Sequence, residues 1–499
     1  MKNEKEKKPE RKTTFGQALF VIIVMFVVLL GGTKLGLNYR LLMVAVAIFA
    51  GAMNVFVLHI SWQDCELAIT TKMNGVIITL CSMWLIGCLI SVMMISGSVP
   101  MVIYYGFKVI APKLFYLTAF LLCLIMSTLT GSSWTSAGTA GVAMYGMALA
   151  MDANLPIVVG AIVAGSIFGD KMSPLSETTN MAPACVGTGL FDHIGSMMYD
   201  TLPAAVISGV VFLICGLNGQ LQTAATAEEV SLLSDELMQM YGFCAWKNIL
   251  MLVPFIFVLW GAIKKKSMIP ILSVTVFLCI IIGMICHGVT FANGLAAAYG
   301  GFTIPYVGGF AEGYEASAFL TKILVRGGAT AQTGIVITCF AGFGCAAMIS
   351  RGGYLDVALH GLVGNIKSRV GCVAAALLTN LVIMIATGTA YVAFIMVSEM
   401  YKKTFLKNRV GMPVLSRCLE DVGTCFGCLI PWSLSGAYYA SLFDNMPIWG
   451  EGGYALWTIL PYTTLVIAIL LAITGIGMYK LSDEEAEAEL KKMEEVELA

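Results

Sequence analysis

Charge is almost absent from the middle of this sequence. The 499-residue chain has 29 basic and 30 acidic residues, of which nine lie in residues 1–12 and eleven in 480–499. That leaves 39 for the 467 positions between, about 8%. Soluble domains carry about 25%. With 58% of its residues hydrophobic, a water-soluble body of this length would expose apolar surface that associates. Soluble enzyme, nucleic-acid binder and disordered scaffold are therefore excluded, and the lipid bilayer is the first expected partner.

A membrane-spanning helix needs about 20 mostly apolar residues. Such runs fall near 16–37, 40–60, 74–97, 111–130, 135–151, 155–168, 201–218, 246–263, 268–290, 331–349, 371–400 and 455–479. Two more, 181–199 and 422–443, are crowded with Gly, Pro, Ser and Thr and read as broken or re-entrant helices. The expected fold is all-α and polytopic, with about 11–13 transmembrane segments. Its expected division is a basic tail (1–15), a first half (16–219), a connector (220–245), a second half (246–479) and an acidic tail (480–499). In the connector, Thr226 and Glu229 fit a capping box and Val230, Leu233, Leu237 and Met240 recur at helical spacing.

Lys/Arg bias places the N-terminal tail, six positive against three negative, in the cytoplasm. Lys264, Lys265 and Lys266 share that side after eight crossings. The basic run Lys402, Lys403, Lys407 and Arg409 does so only if 371–400 counts as two segments.

An internal repeat is suggested by spacing. Thr130-Gly131-Ser132-Ser133-Trp134 resembles Thr387-Gly388-Thr389-Ala390-Tyr391, and Gly131 precedes Pro174 by the same interval as Gly388 precedes Pro431. The same offset pairs Ser176 with Ser433 and Thr178 with Ser435. Transporters built from two inverted repeats place interrupted helices at corresponding positions. A helix broken at membrane depth frees backbone N–H and C=O groups, tolerable only where they line a cavity or bind something.

The densest polar stretch is Gly165 to Asn180, with Asp170, Lys171, Glu177, five hydroxyls and an amide following an apolar helix. Sodium is a hard cation that takes oxygen ligands, and a carboxylate can hold either a cation or a proton. That competition is the basis of cation/proton exchange. Charges at this depth cost several kcal/mol, so Asp170, Lys171 and Glu177 are expected to face a cavity and partner one another. The plain alternative is an extramembrane loop with salt bridges.

A second cluster runs from Ser416 through Arg417, Glu420, Asp421 and Thr424 to Pro431-Trp432-Ser433. Arg417 lies one helical turn before Glu420, where an ordinary ion pair would leave Asp421 and Thr424 as ligand candidates. Thr130, Ser132, Ser133, Thr135, Asn380, Thr387 and Thr389 sit near the breaks, as ion ligands or merely as caps.

Other features carry less. Arg351 reads as a carboxylate-binding residue or a membrane boundary. His59, His193, His287 and His360 lack metal-ligand spacing, and most of the fifteen cysteines, in apolar runs, read as small core residues. The Cys425–Cys428 pair lacks a thioredoxin-like setting. No HExxH or Walker lysine loop is present, and Tyr199-Asp200 with Gly169-Asp170 misses the order of an intramembrane aspartyl protease, so no enzyme and no cofactor are expected.

Three segments carry a resemblance: Thr130-Gly131-Ser132-Ser133-Trp134-Thr135-Ser136-Ala137-Gly138-Thr139, Gly169 through Asn180, and Leu419-Glu420-Asp421 through Pro431-Trp432. On these the chain resembles the NhaC-type Na+/H+ antiporter family, within the wider ion-transporter superfamily. The resemblance implies a secondary transporter in the plasma membrane of a prokaryote, with Na+ and H+ as its ions and Asp170, Ser173, Glu177, Thr178, Thr179, Asn180, Glu420, Asp421 and Thr424 as site residues. Thr130, Ser132, Ser133, Thr387, Thr389 and Ser433 join them from the breaks. The sodium candidates are Asp170, Ser173, Thr178 and Asp421. Superfamily likeness also implies a homodimer with an elevator-like transport domain. Where the family commonly reads Ser-Pro-Leu-Ile-Pro-Trp-Asn, this chain has Gly427-Cys428-Leu429-Ile430-Pro431-Trp432-Ser433. Relatives include malate/lactate exchangers, so coupled transport of a small carboxylate or amino acid is the alternative, with Ser132, Ser133, Ser433 and Ser435 as donors.

Overall fold

The computed structural model describes residues 10–498 apart from 33–34, 36, 75–76, 110, 219–226, 265, 309–314 and 364–365. Among the described residues the secondary structure is helical, with one isolated β-bridge between Val410 and Lys480. Among the described residues seven helices are long and apolar enough to cross a membrane, and nine if each of two bent pairs is one span. Two shorter apolar helices, Phe15–Leu29 and Ile459–Thr474, add to these. The side chains they leave exposed include Phe20, Leu41, Ile48, Phe56, Val206, Ile285 and Val466. Such a surface suits lipid and not water.

Local chemistry explains where the helices stop. The run 371–400 is divided between two helices, Arg369–Thr387 and Ala390–Lys407. Gly388 between them is left-handed with φ of 70°, a conformation that only glycine adopts freely. Its counterpart Gly131, at φ 66°, ends Phe115–Thr130. From there Ser133–Ser136 continues through a π turn at Ala137–Gly141 into Val142–Ala150. That last helix is wholly buried, so the run at 135–151 is core and not a lipid-facing span.

The run expected at 201–218 is longer than its apolar stretch. The helix is Leu190–Leu217, 28 residues, and it absorbs part of the stretch expected at 181–199 as re-entrant. His193, Ser196, Asp200 and Thr201 are all buried on it. Polar residues are admitted there because neighbouring helices supply partners. In the connector, Ala227–Tyr241 is helical with Leu233, Leu237 and Met240 buried. Thr226 and the side chains of Glu229 and Val230 lie outside the described residues.

The tightest packing sets the site. Helix Leu155–Met172 crosses Phe115–Thr130 at its glycines: a Cβ on Gly165 would strike the Phe120 carbonyl, and one on Gly169 would strike Ser127 and the Thr128 backbone. Backbone cannot move aside as a flexible side chain can. Gly169→Val should cost about 1–3 kcal/mol of overpacking and lower the thermal midpoint of the detergent-purified protein. An unchanged midpoint would mean that the helices are not in this close contact.

Candidate functional site

Two helix breaks in each half meet, and they meet alike. In the first half Gly131 packs on the break after Met172, where a Cβ would lie 2.6 Å from the Leu175 carbonyl carbon and 2.7 Å from the Ser176 nitrogen. In the second, Gly388 packs on Trp432 and Ser433, and its carbonyl accepts from the Leu434 amide at 3.3 Å. Thr130 and Thr387 donate back into their own helices, to the Met126 and Ile383 carbonyls. Ser132 and Thr389 then cap the next helix by accepting from the Thr135 and Val392 amides. Ser176 and Ser433 each stand at the N-terminus of the helix beyond the second break, Glu177–Val186 and Leu434–Leu442.

Asp170 is carried to this crossing by the last turn of Leu155–Met172. One carboxylate oxygen accepts from the Ser133 hydroxyl at 2.6 Å and the other from the Ser176 hydroxyl at 2.7 Å. Ser176 also shares a 3.1 Å contact with the Thr178 hydroxyl. Across from it, Glu420 is fully buried on Met412–Gly423. One of its oxygens accepts from Thr424; the other has no hydrogen bond. Among the described residues neither Asp170 nor Glu420 has a cationic partner.

The cations are used elsewhere. Lys171, fully buried, forms an ion pair with Asp421 and stands 3.6 Å from Asp200. Arg417 meets the second oxygen of Asp200 at 3.5 Å and donates to the Ser196 carbonyl at 3.1 Å and the Gly477 carbonyl at 3.2 Å. Lys171, Arg417, Asp200 and Asp421 thus balance two positive against two negative charges, all at 0% exposure. Adjacent residues on a helix point about 100° apart, so Lys171 turns away from Asp170. The expected mutual partnering of Asp170, Lys171 and Glu177 is therefore corrected, and so is the Arg417–Glu420 pair.

A cavity of about 710 Å³ opens over the crossing. Of the expected residues, Thr130, Ser132, Ser133, Asp170, Glu177, Thr178, Asn180, Thr389, Thr424 and Ser433 line it. Glu177 is exposed in it and Asn180 braces the break, its amide donating to the Pro174 and Ser176 carbonyls. Ser173, Thr179, Thr387, Glu420 and Asp421 stand behind its wall. Ser173 accepts from the Leu175 amide, and Thr179 donates to the Asp170 and Lys171 carbonyls. The Asn380 amide nitrogen donates to the Cys418 and Leu419 carbonyls, and its side-chain oxygen is buried without a hydrogen bond. Cys425 and Cys428 are free and buried, and Arg351 pairs near the surface with Glu10 and Asp64.

Sequence reasoning missed Asp200 as a member of this assembly. The available signal was an acid well inside the helical run, beyond Asp192 of its first turn, since charge at that depth requires a partner.

The sequence matches the Na+/H+ antiporter family over residues 167–476. It is 34% identical over 472 residues, 94% of this chain and 98% of the relative, to an uncharacterized Na+/H+ antiporter of Haemophilus influenzae. It is 31% identical over 478 residues, 94% and 98% of the two chains, to the Na+/H+ antiporter NhaC of Alkalihalophilus pseudofirmus. A malate-2H+/Na+-lactate antiporter of Bacillus subtilis is 28% identical over 436 residues, 86% and 88% of the two chains. The family match spans more than half of the sequence and both relatives above 30% identity align over nearly all of it, so this multi-pass membrane protein belongs to the Na+/H+ antiporter family.

Proposed function

We propose that the protein is a secondary transporter that exchanges Na+ for H+ across the plasma membrane of a prokaryotic cell. The observation that carries this reading is that Asp170 and Glu420 sit at the crossing of the breaks without a basic partner among the described residues, while the nearby Lys171 and Arg417 are already balanced by Asp200 and Asp421. An ionised carboxylate out of water needs a counter-charge. Either a proton or a sodium ion supplies it, and the two exclude each other. When Na+ enters, the Ser133 and Ser176 hydroxyls that now donate to Asp170 rotate to offer lone pairs, with Thr178 beside them. From the second half Thr424, which lines the cavity, joins the shell, and Glu420 behind it accepts from the Thr424 hydroxyl and supplies a second negative charge.

The same proposal makes the two halves inverted repeats, supported by the matched caps and contacts at Gly131 and Gly388. It also places the N-terminus in the cytoplasm, supported by the Lys/Arg bias, and the chain in a homodimer, supported by superfamily likeness. Coupled transport of a small carboxylate is the second reading, favoured by the similarity to the malate/lactate antiporter and by a cavity larger than an ion needs. Against it, Ser133 already donates to Asp170 and Ser433 to the Gly427 carbonyl.

Purified protein in liposomes with an internal pH dye tests this. A sodium gradient alone should move protons; flux only when malate, lactate or an amino acid is added would overturn the first reading. Because the cation binds the deprotonated carboxylate, acidification below the carboxylate's pKa should raise the half-saturating Na+ concentration about tenfold per pH unit if one proton competes. A sodium affinity independent of pH across the active range would remove the competition.

A further inference from the structure

The cavity over Asp170 has chemistry that a sodium ion alone does not use. Its volume, about 710 Å³, is that of sites enclosing small organic ligands, roughly 300–1,000 Å³. Trp134, Tyr391, Tyr438 and Tyr439 line it. Trp134 and Tyr438 stack at a ring separation of 4.3 Å, and the Tyr438 hydroxyl holds the Trp134 carbonyl at 2.5 Å, which fixes both rings. Tyr439 is 1% exposed, and its hydroxyl has no hydrogen-bond partner.

The sign of the ligand's charge follows from the lining. Two acids, Asp170 and Glu177, face the cavity, against one base among the described residues, the solvent-exposed Lys266. Four helix N-termini also approach it, and such termini attract anions. Three of them are satisfied by their own caps, Ser132, Thr389 and Ser433. The fourth begins at Ser176, whose hydroxyl is given to Asp170, and carries Glu177 in its first turn. Little is left for an anion. A cation finds carboxylate, hydroxyls and aromatic faces, whose negative ring centres attract ammonium groups. Ile86, Leu89 and Ile90 offer apolar wall for an alkyl chain.

We infer that this cavity also binds a small molecule bearing a primary ammonium group, which sits on Asp170 in place of Na+ within reach of the Trp134 and Tyr438 rings, with its carbon chain against Ile86, Leu89 and Ile90. This rests on the sodium-site reading of Asp170 but has its own readout. The probe is n-butylammonium, with butyrate as the anion of matched length. Calorimetry on the purified full chain in detergent, without sodium, measures butylammonium binding directly; displacement of radioactive sodium measures competition.

Butylammonium should bind and displace sodium, butyrate should do neither, and Trp134→Leu should weaken butylammonium about tenfold, the scale of one ring contact, with a smaller change for sodium. Asp170→Asn should lose both cations. If butylammonium binds while sodium does not, the ammonium site stands and the sodium reading falls. If sodium binds and butylammonium does not, or butyrate binds as well as butylammonium, the ammonium site is overturned and the sodium reading survives. Equal weakening of both cations by Trp134→Leu would likewise overturn the aromatic contact.

Discussion

Asp170→Asn should abolish sodium-driven proton movement, with a fall of at least ~100-fold, the equivalent of about 2.7 kcal/mol in the coupled step. The asparagine keeps the size of the side chain and can still meet the Ser133 and Ser176 hydroxyls that hold the carboxylate at 2.6 and 2.7 Å. What it loses is the negative charge for which Na+ and H+ compete. The folded protein should therefore purify with a normal thermal midpoint while its proton flux in liposomes no longer responds to a sodium jump. Sodium-dependent flux at the wild-type level in this variant would remove Asp170 from the site. Glu420→Gln, which removes the second negative charge of the site, should lower exchange too; an unchanged exchange with a shifted thermal midpoint would confine Glu420 to the wall behind the cavity.

The second large effect is on folding. Lys171→Met removes one cation from the balanced set of Lys171, Arg417, Asp200 and Asp421, all fully buried. Two acids then face a single guanidinium. Breaking a buried pair by removing one partner costs about 3–5 kcal/mol, because a charge is left uncompensated. Removing both partners of a pair is much less costly, so Lys171→Met combined with Asp421→Leu should recover more than half of the lost stability. The readout is the thermal midpoint of the detergent-purified protein, taken for both single variants and the double. Additive losses would show that Lys171 and Asp421 do not act on each other.

These two experiments target an acid and a base that are adjacent in the chain, and their environments in the fold separate them. Asp170 and Lys171 are neighbours in the chain, and the sequence reading grouped them with Glu177 as mutual partners. The helix turns them apart: Asp170 faces the cavity, and Lys171 faces Asp421, 250 positions away. Arg417 and Glu420, one turn apart, also part company, since the guanidinium reaches Asp200 and the carbonyl of Gly477.

Much of the architecture was legible because the bilayer imposes simple rules. A middle region with about 8% charge has to be helical and membrane-embedded, because lipid offers no partners to open backbone. Gly131, Gly388, Pro174 and Pro431 mark the breaks by local chemistry alone, and the hydroxyls around them follow as caps and cavity lining. Membership of an interior span was harder to read. The segments 135–151 and 155–172 are as apolar as lipid-facing helices, and only their burial by neighbours distinguishes them.

By itself, then, the sequence determined that this is a helical membrane protein, where its helices break, and which carboxylates lie near those breaks, since hydropathy and glycine stereochemistry act locally. Tertiary structure alone decided which acids are neutralised and which remain free for an ion, because charge compensation depends on side chains brought together across hundreds of residues. Asp200 shows the difference most plainly: in sequence it is an acid midway along an apolar helix with no basic residue beside it, and in the fold it joins Lys171 to Arg417, which leaves Asp170 without a basic partner among the described residues.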